Sequence, residues 1–131
     1  MARRTSGLDK WFGAEAGSRL PGTVARVREL TFHPAFTLKN PNKVYALLGS
    51  FGGNQVNFHA ADGSGYGFMS EQILALDPIN PQLAARMARN FERWKRFEPK
   101  RQGLMKAALE QVAALHALSK ETTEVVIKSL S

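Results

Sequence analysis

Asn-Pro occurs twice in this chain, at Asn40-Pro41 and Asn80-Pro81, and each pair reads as the start of a helix. The asparagine side chain caps free backbone N–H groups, and proline suits the first helical position because its missing N–H would have no partner there. An apolar series at helical spacing follows each start: Val44, Leu47, Leu48 and Phe51 after the first, and Leu83, Met87, Phe91 and Trp94 after the second. Gly52-Gly53 stops the first of these.

The remaining segments follow the same grammar. A helix over about 3–16 carries Leu8, Trp11 and Phe12 on one face, and Gly17-Ser18 and Pro21-Gly22 break it. Val24, Val27 and Leu30 mark a second helix from about Gly22. Asp62-Gly63-Ser64-Gly65 is a loop that opens a helix with Met69, Ile73 and Leu76, which Asp77-Pro78 ends. A helix over 98–115 places Leu104, Ala108, Val112 and Leu115 inside, and Ser119 opens a last one that buries Val126 and Leu130. The expectation is about seven helices, all-α, with no strand. Short loops between them make neighbours antiparallel, as in bundles and α-solenoids. No repeat of fixed period is visible, so an irregular, armadillo- or HEAT-like stack of helix pairs is expected.

At 131 residues the chain is read as a single domain, 1–131, large enough for a core. No apolar run approaches the roughly 20 residues that span a bilayer. The start, Met1-Ala2-Arg3-Arg4-Thr5, lacks the apolar stretch of a secretory signal, so a cytoplasmic location is expected. Without cysteine there is no thiolate ligand, disulfide or cysteine nucleophile. The net charge of +7 is concentrated. From Arg86 to Lys106 eight basic residues face only Glu92 and Glu98, leaving +6. Such a stretch attracts an acidic protein or nucleic acid, although no nucleic-acid motif accompanies it and a solvated helix face is the plainer reading.

Catalytic signatures are missing. His33, His59 and His116 are too scattered for a helical ligand pair, and H-E-x-x-H does not occur. His33 and His59 lie in loops, where hydrogen bonds to loop backbone are expected of them. Gly63-Ser64-Gly65-Tyr66-Gly67 follows no strand and lacks the Lys-Ser/Thr of a phosphate loop, so its glycines read as a tight turn. Gln82 and Arg86 stand one turn apart on one helix face, which alone suggests no more than a surface polar pair.

Longer segments are more specific. Leu8-Asp9-Lys10-Trp11-Phe12, then His33 to Lys43 (HPAFTLKNPNK), then FHAADGSGY from Phe58 and NPQLAARM from Asn80 come in this order and spacing. With them the chain resembles, over nearly its whole length, the C-terminal helical domain of the bacterial aminopeptidase N family of zinc metallo-aminopeptidases. The resemblance implies a C-terminal portion of that domain, without the catalytic domain. It implies that the domain caps the active site, limits access to small peptides and contacts the peptide tail. The parent removes N-terminal residues from peptides, and its zinc ligands lie in the catalytic domain, so no metal site and no catalytic residue are expected here. The implied partners are that catalytic domain and peptide substrates, with no membrane.

By position, the resemblance puts Gln82 and Arg86 on the cavity wall. Lys43 keeps the first basic position of the N-P-N segment, while Tyr45-Ala46 replaces the family's Arg-Ser pair. Tyr45 offers a hydrogen bond in place of a guanidinium. Both Asn-Pro helix starts are expected to open on one concave side, with Lys43 near Gln82 and Arg86. The alternative is a free-standing basic α-solenoid that binds an acidic protein or nucleic acid.

Overall fold

The computed structural model describes residues 7–131. The expected helix over 3–16 therefore lies partly outside the described residues. Among those described there is no strand. Eight α-helical segments occur: α1 Gly7–Ala16, α2 Thr23–Leu30, α3 Pro41–Val44, α4 Ser50–Gly52, α5 Ser64–Leu76, α6 Pro81–Ala88, α7 Pro99–Ala113 and α8 Lys120–Leu130. A π-helical turn, Tyr45–Gly49, joins α3 to α4 without a break, so the segments form seven rods. Two short 3-10 turns, Arg89–Phe91 and Trp94–Arg96, follow α6. The chain divides into two compact units, 1–58 and 59–131.

In the first unit, Asn40 caps α3 as its sequence requires, accepting from the Asn42 N–H at 3.0 Å with Pro41 in the first turn. The rod that follows buries Val44, Leu47, Leu48 and Phe51 completely. Phe12 joins this core, its ring edge-on to Phe36 at 6.0 Å, and Phe51 meets Phe58 in the same way at 6.0 Å. The helices approach closely at Gly13, where a Cβ would stand 3.3 Å from Ser50 Oγ. Neutral amides tie the turn after α1: Asn54 Nδ2 donates to the carbonyls of Ala16 (2.9 Å) and Ser18 (2.7 Å), and Asn57 Nδ2 donates to Ser18 (2.8 Å).

The buried stripe of α1 differs from the expected one. Phe12 and Ala16 are fully buried, but Leu8 and Trp11 are 41% and 37% exposed. Trp11 is an edge residue whose ring lies under the Arg26 guanidinium, 5.7 Å from the centroid.

The second unit contains α5 to α8. Gly63, at φ 78°, precedes α5 in the left-handed region that favours glycine, and a Cβ there would come within 3.0 Å of Leu104 Cδ2. The Asp62 carboxylate accepts from the Ser64 N–H at 2.9 Å. Asn80 caps α6 through the Leu83 N–H, and Glu98 and Ser119 cap α7 and α8 in the same manner. Met69, Ile73, Leu76, Leu83, Met87, Phe91, Trp94, Val112 and Val126 are buried. The expected four-four-three stepping from Leu83 to Trp94 survives although α6 gives way to 3-10 turns at Arg89. The expected end of α7 does not hold. The helix stops at Ala113, so Leu115 falls in the following turn and is 41% exposed. Met105 and Leu109 are buried instead, while Leu104 and Leu130 are half-buried.

Candidate functional site

On α6, Leu83, Ala84, Met87 and Ala88 face the core. The remaining arc carries Gln82 and Arg86, both exposed and four residues apart on one face. The structure therefore brings this expected pair together at the first turns of a helix that Asn80 and Pro81 fix in place.

The other two expected residues belong to the first unit. Lys43 Nζ donates to Asp9 Oδ1 at 2.7 Å, and their side chains are only 14% and 12% exposed. Its charge is met inside its own unit, a relationship that sequence reading missed because Asp9 lies 34 residues away. Tyr45, 41% exposed, opens the π turn. Lys43 and Tyr45 are two residues apart on a helical rod and do not share a face. Inserted π turns recur at functional positions, because the extra residue re-aims the side chains around it.

Each loop histidine has a defined place. His33 Nδ1 accepts from the Ala35 N–H at 3.0 Å, the backbone role expected of it. His59 departs from that expectation. Its Nδ1 meets the Tyr66 hydroxyl at 2.7 Å and its ring stacks on Phe97 at 4.5 Å, while its carbonyl accepts from Arg101 Nε at 2.8 Å. Burial, helped by the Arg101 charge, pushes the imidazole below the usual histidine range, and burial pushes the Tyr66 phenol up. The neutral imidazole is thus favoured, leaving Nδ1 able to accept the phenol's proton. His59 and Tyr66 bracket the segment HAADGSGY, which is the only hint of the pair in the sequence.

A second polar centre was also not foreseen. The Asp77 carboxylate, 2% exposed, accepts from the Ser119 N–H (2.8 Å), Ser119 Oγ (2.6 Å) and Thr122 Oγ1 (2.6 Å). It fastens the end of α5 to the start of α8 and holds the capping serine in position. Among the described residues no three His, Cys, Asp or Glu side chains gather as a metal would need.

An all-helical stack of this kind is the armadillo-type architecture, and the family assignment agrees. Residues 1–131 match the family described as "Domain of unknown function (DUF3458_C) ARM repeats", and the chain belongs to that family. It is similar to aminopeptidase N of Escherichia coli, 43% identical over 125 residues, and to aminopeptidase N of Caulobacter vibrioides, 40% identical over 124 residues. These alignments cover 95% and 94% of this chain, but it spans only 14% of either relative. A crystal structure of Legionella pneumophila aminopeptidase A in complex with aspartic acid superposes with a TM-score of 0.89 at 38% identity, covering 94% of this chain and 14% of that one.

Proposed function

We propose that this chain serves as the C-terminal helical part of an aminopeptidase N-type zinc enzyme of the cytoplasm, as one domain across 1–131. In that role it caps the catalytic domain, restricts the active site to small peptides and contacts the peptide's tail. The observation that carries the reading is 43% identity to aminopeptidase N across 95% of the chain, in a segment that makes up a small fraction of the relative. Large apolar side chains on the first unit support it: Phe32 is 83% exposed and Leu20 71%, as a surface that meets another domain would be. In this reading the parent's zinc and its hydrolytic chemistry belong to the catalytic domain.

Within this reading Gln82 and Arg86 face the substrate cavity, and Tyr45 adds a phenol to it. Lys43 enters with its charge already met by Asp9. Pairing with the peptide's C-terminal carboxylate is assigned in this reading to Arg86, whose planar guanidinium suits bidentate recognition. The test is Arg86→Ala in the full-length enzyme. kcat/KM should fall about ten- to hundredfold on short peptides with a free C-terminus, the loss of one charge-assisted bond worth about 1.5–3 kcal/mol. Hydrolysis of an aminoacyl anilide, which has no such carboxylate, should hardly change. Equal losses on both substrates would make Arg86 a structural residue, and no loss on either would return it to the surface.

A further inference from the structure

The concentration of positive charge seen in the sequence becomes a shaped cleft in the second unit. Arg89, Glu92, Arg93 and Lys95, from the 3-10 turns and their junction, form one wall. Val125, Lys128 and Ser129 form the other, on one face of α8 at spacings of three and four residues. The volume is about 400 Å³. That falls at the small end of the roughly 300–1,000 Å³ typical of small-molecule pockets.

Two bonds set the distance between the walls. Trp94 Nε1 donates to the Ser129 carbonyl at 2.7 Å, and Lys95 Nζ donates to the main-chain oxygen of Ser131 at 2.6 Å. Trp94 is itself buried, so the clamp is anchored in the core. The cleft is thus built before any ligand arrives, which lowers the cost of binding.

Its charge is unbalanced. With Lys95 engaged by the Ser131 main-chain oxygen, three further cations (Arg89, Arg93 and Lys128) stand around one acidic side chain, Glu92. Among the described residues no ion pair engages Arg89, Arg93 or Lys128. Gathering like charges is unfavourable, and a multivalent anion seated among them removes that repulsion while gaining several charge-assisted bonds. Two guanidiniums favour planar, bidentate contact with phosphate or carboxylate oxygens. The limited volume, with Val125 in the lining, favours a small ligand over an extended chain.

We propose that this cleft is a binding site for a small polyphosphate, either an inorganic oligophosphate or the phosphate tail of a nucleotide. The inference stands apart from the proposed peptidase role and requires no residue of it.

The experiment is calorimetric titration of the protein at its natural length with inorganic tripolyphosphate, a nucleoside triphosphate and a short polyglutamate, each at 50 and 200 mM salt. Tripolyphosphate should bind with one-to-one saturation, and more weakly at the higher salt. Tighter binding of the nucleoside triphosphate would assign the source as a nucleotide, and tighter binding of bare tripolyphosphate an inorganic one. The double variant Arg93→Glu/Lys128→Glu should weaken binding by at least about tenfold, since both residues are exposed and each supplies a charge-assisted bond. Lys106→Glu/Lys120→Glu, an equal charge change at exposed sites that do not line the cleft, should shift Kd by less than about threefold. Equal effects of the two double variants would overturn the site in favour of diffuse charge attraction. Absence of saturable binding would also overturn it, as would polyglutamate binding tighter than tripolyphosphate, which would make the cleft a dock for an acidic protein.

Discussion

The two units of this chain solve one problem, the fixing of a chain turn against packed helices, with different chemistry. In 1–58 the turn after α1 is held by neutral groups, while the Lys43–Asp9 ion pair ties α3 to α1 elsewhere in the unit. Asn54 and Asn57 donate to the carbonyls of Ala16 and Ser18, and an aromatic group of Phe12, Phe36, Phe51 and Phe58 fills the core beside them. In 59–131 the central fastener is a carboxylate, Asp77, with three donors, two from Ser119, the N-cap of α8, and one from Thr122 within it. Hydrogen bonds to an ionised acceptor are roughly twice as strong as neutral ones, and a lost carboxylate leaves more behind unsatisfied. The second unit should therefore depend more heavily on one polar residue, and the first on its rings.

That contrast is broken most directly at the cores. Phe12→Ala should cost about 3–5 kcal/mol, because a fully buried ring leaves a cavity that the rigid packing around Gly13 cannot close. Phe91→Ala, also fully buried, falls in the same range on volume alone. Urea unfolding of both variants checks this. A Phe12 cost well below that of Phe91 would show that the first unit does not lean on its aromatic group.

The fasteners come next in size. Asp77→Ala removes all three acceptor contacts and leaves the Thr122 hydroxyl, at 0% exposure, with only a long 3.4 Å approach to the Pro81 carbonyl. We expect a loss of about 2–4 kcal/mol. Asn54→Ala removes two neutral bonds to carbonyls and should cost about 1–3 kcal/mol. If the asparagine change proved the costlier of the two, the proposed difference between the units would be wrong.

How much of this was legible beforehand follows from which interactions are local. Helix starts at Asn40, Asn80 and Ser119 are written within three residues of sequence, and all three caps form. The apolar stripes of the rod after Asn40 and of α6 needed only periodicity. The π turn at Tyr45 left no such trace, because its sequence, YALLG, fits an α-helix equally well. Partners 34 to 45 residues apart, such as Lys43 with Asp9 or Asp77 with Thr122, are set by tertiary packing and could not be read from spacing. The pair Gln82 and Arg86 was legible as a face, since four residues make one helical turn. Its meaning was carried by the resemblance and not by the spacing.

The smallest effect sharpens the comparison through pH. His59 titrates in the second unit with its imidazole pushed below the ordinary 6.5 by burial and by the Arg101 charge. The unfolded chain thus takes up the proton at a higher pH than the folded one. Over the window between the unfolded value near 6.5 and the lower folded value, the unfolded state binds more protons, so stability declines as pH falls through that window and then levels off. Protonation also turns Nδ1 from an acceptor into a donor against the Tyr66 hydroxyl. His59→Asn places an amide oxygen near the Nδ1 position, keeps an acceptor for Tyr66 and removes the titration. This variant should lose the acid-side slope contributed by His59 while staying folded at neutral pH. The measurement is urea unfolding of both proteins at steps from pH 8 to 5, beside an NMR titration of the His59 ring. An unchanged slope in the variant, or a ring that titrates above 6.5, would place the acid sensitivity of the second unit elsewhere.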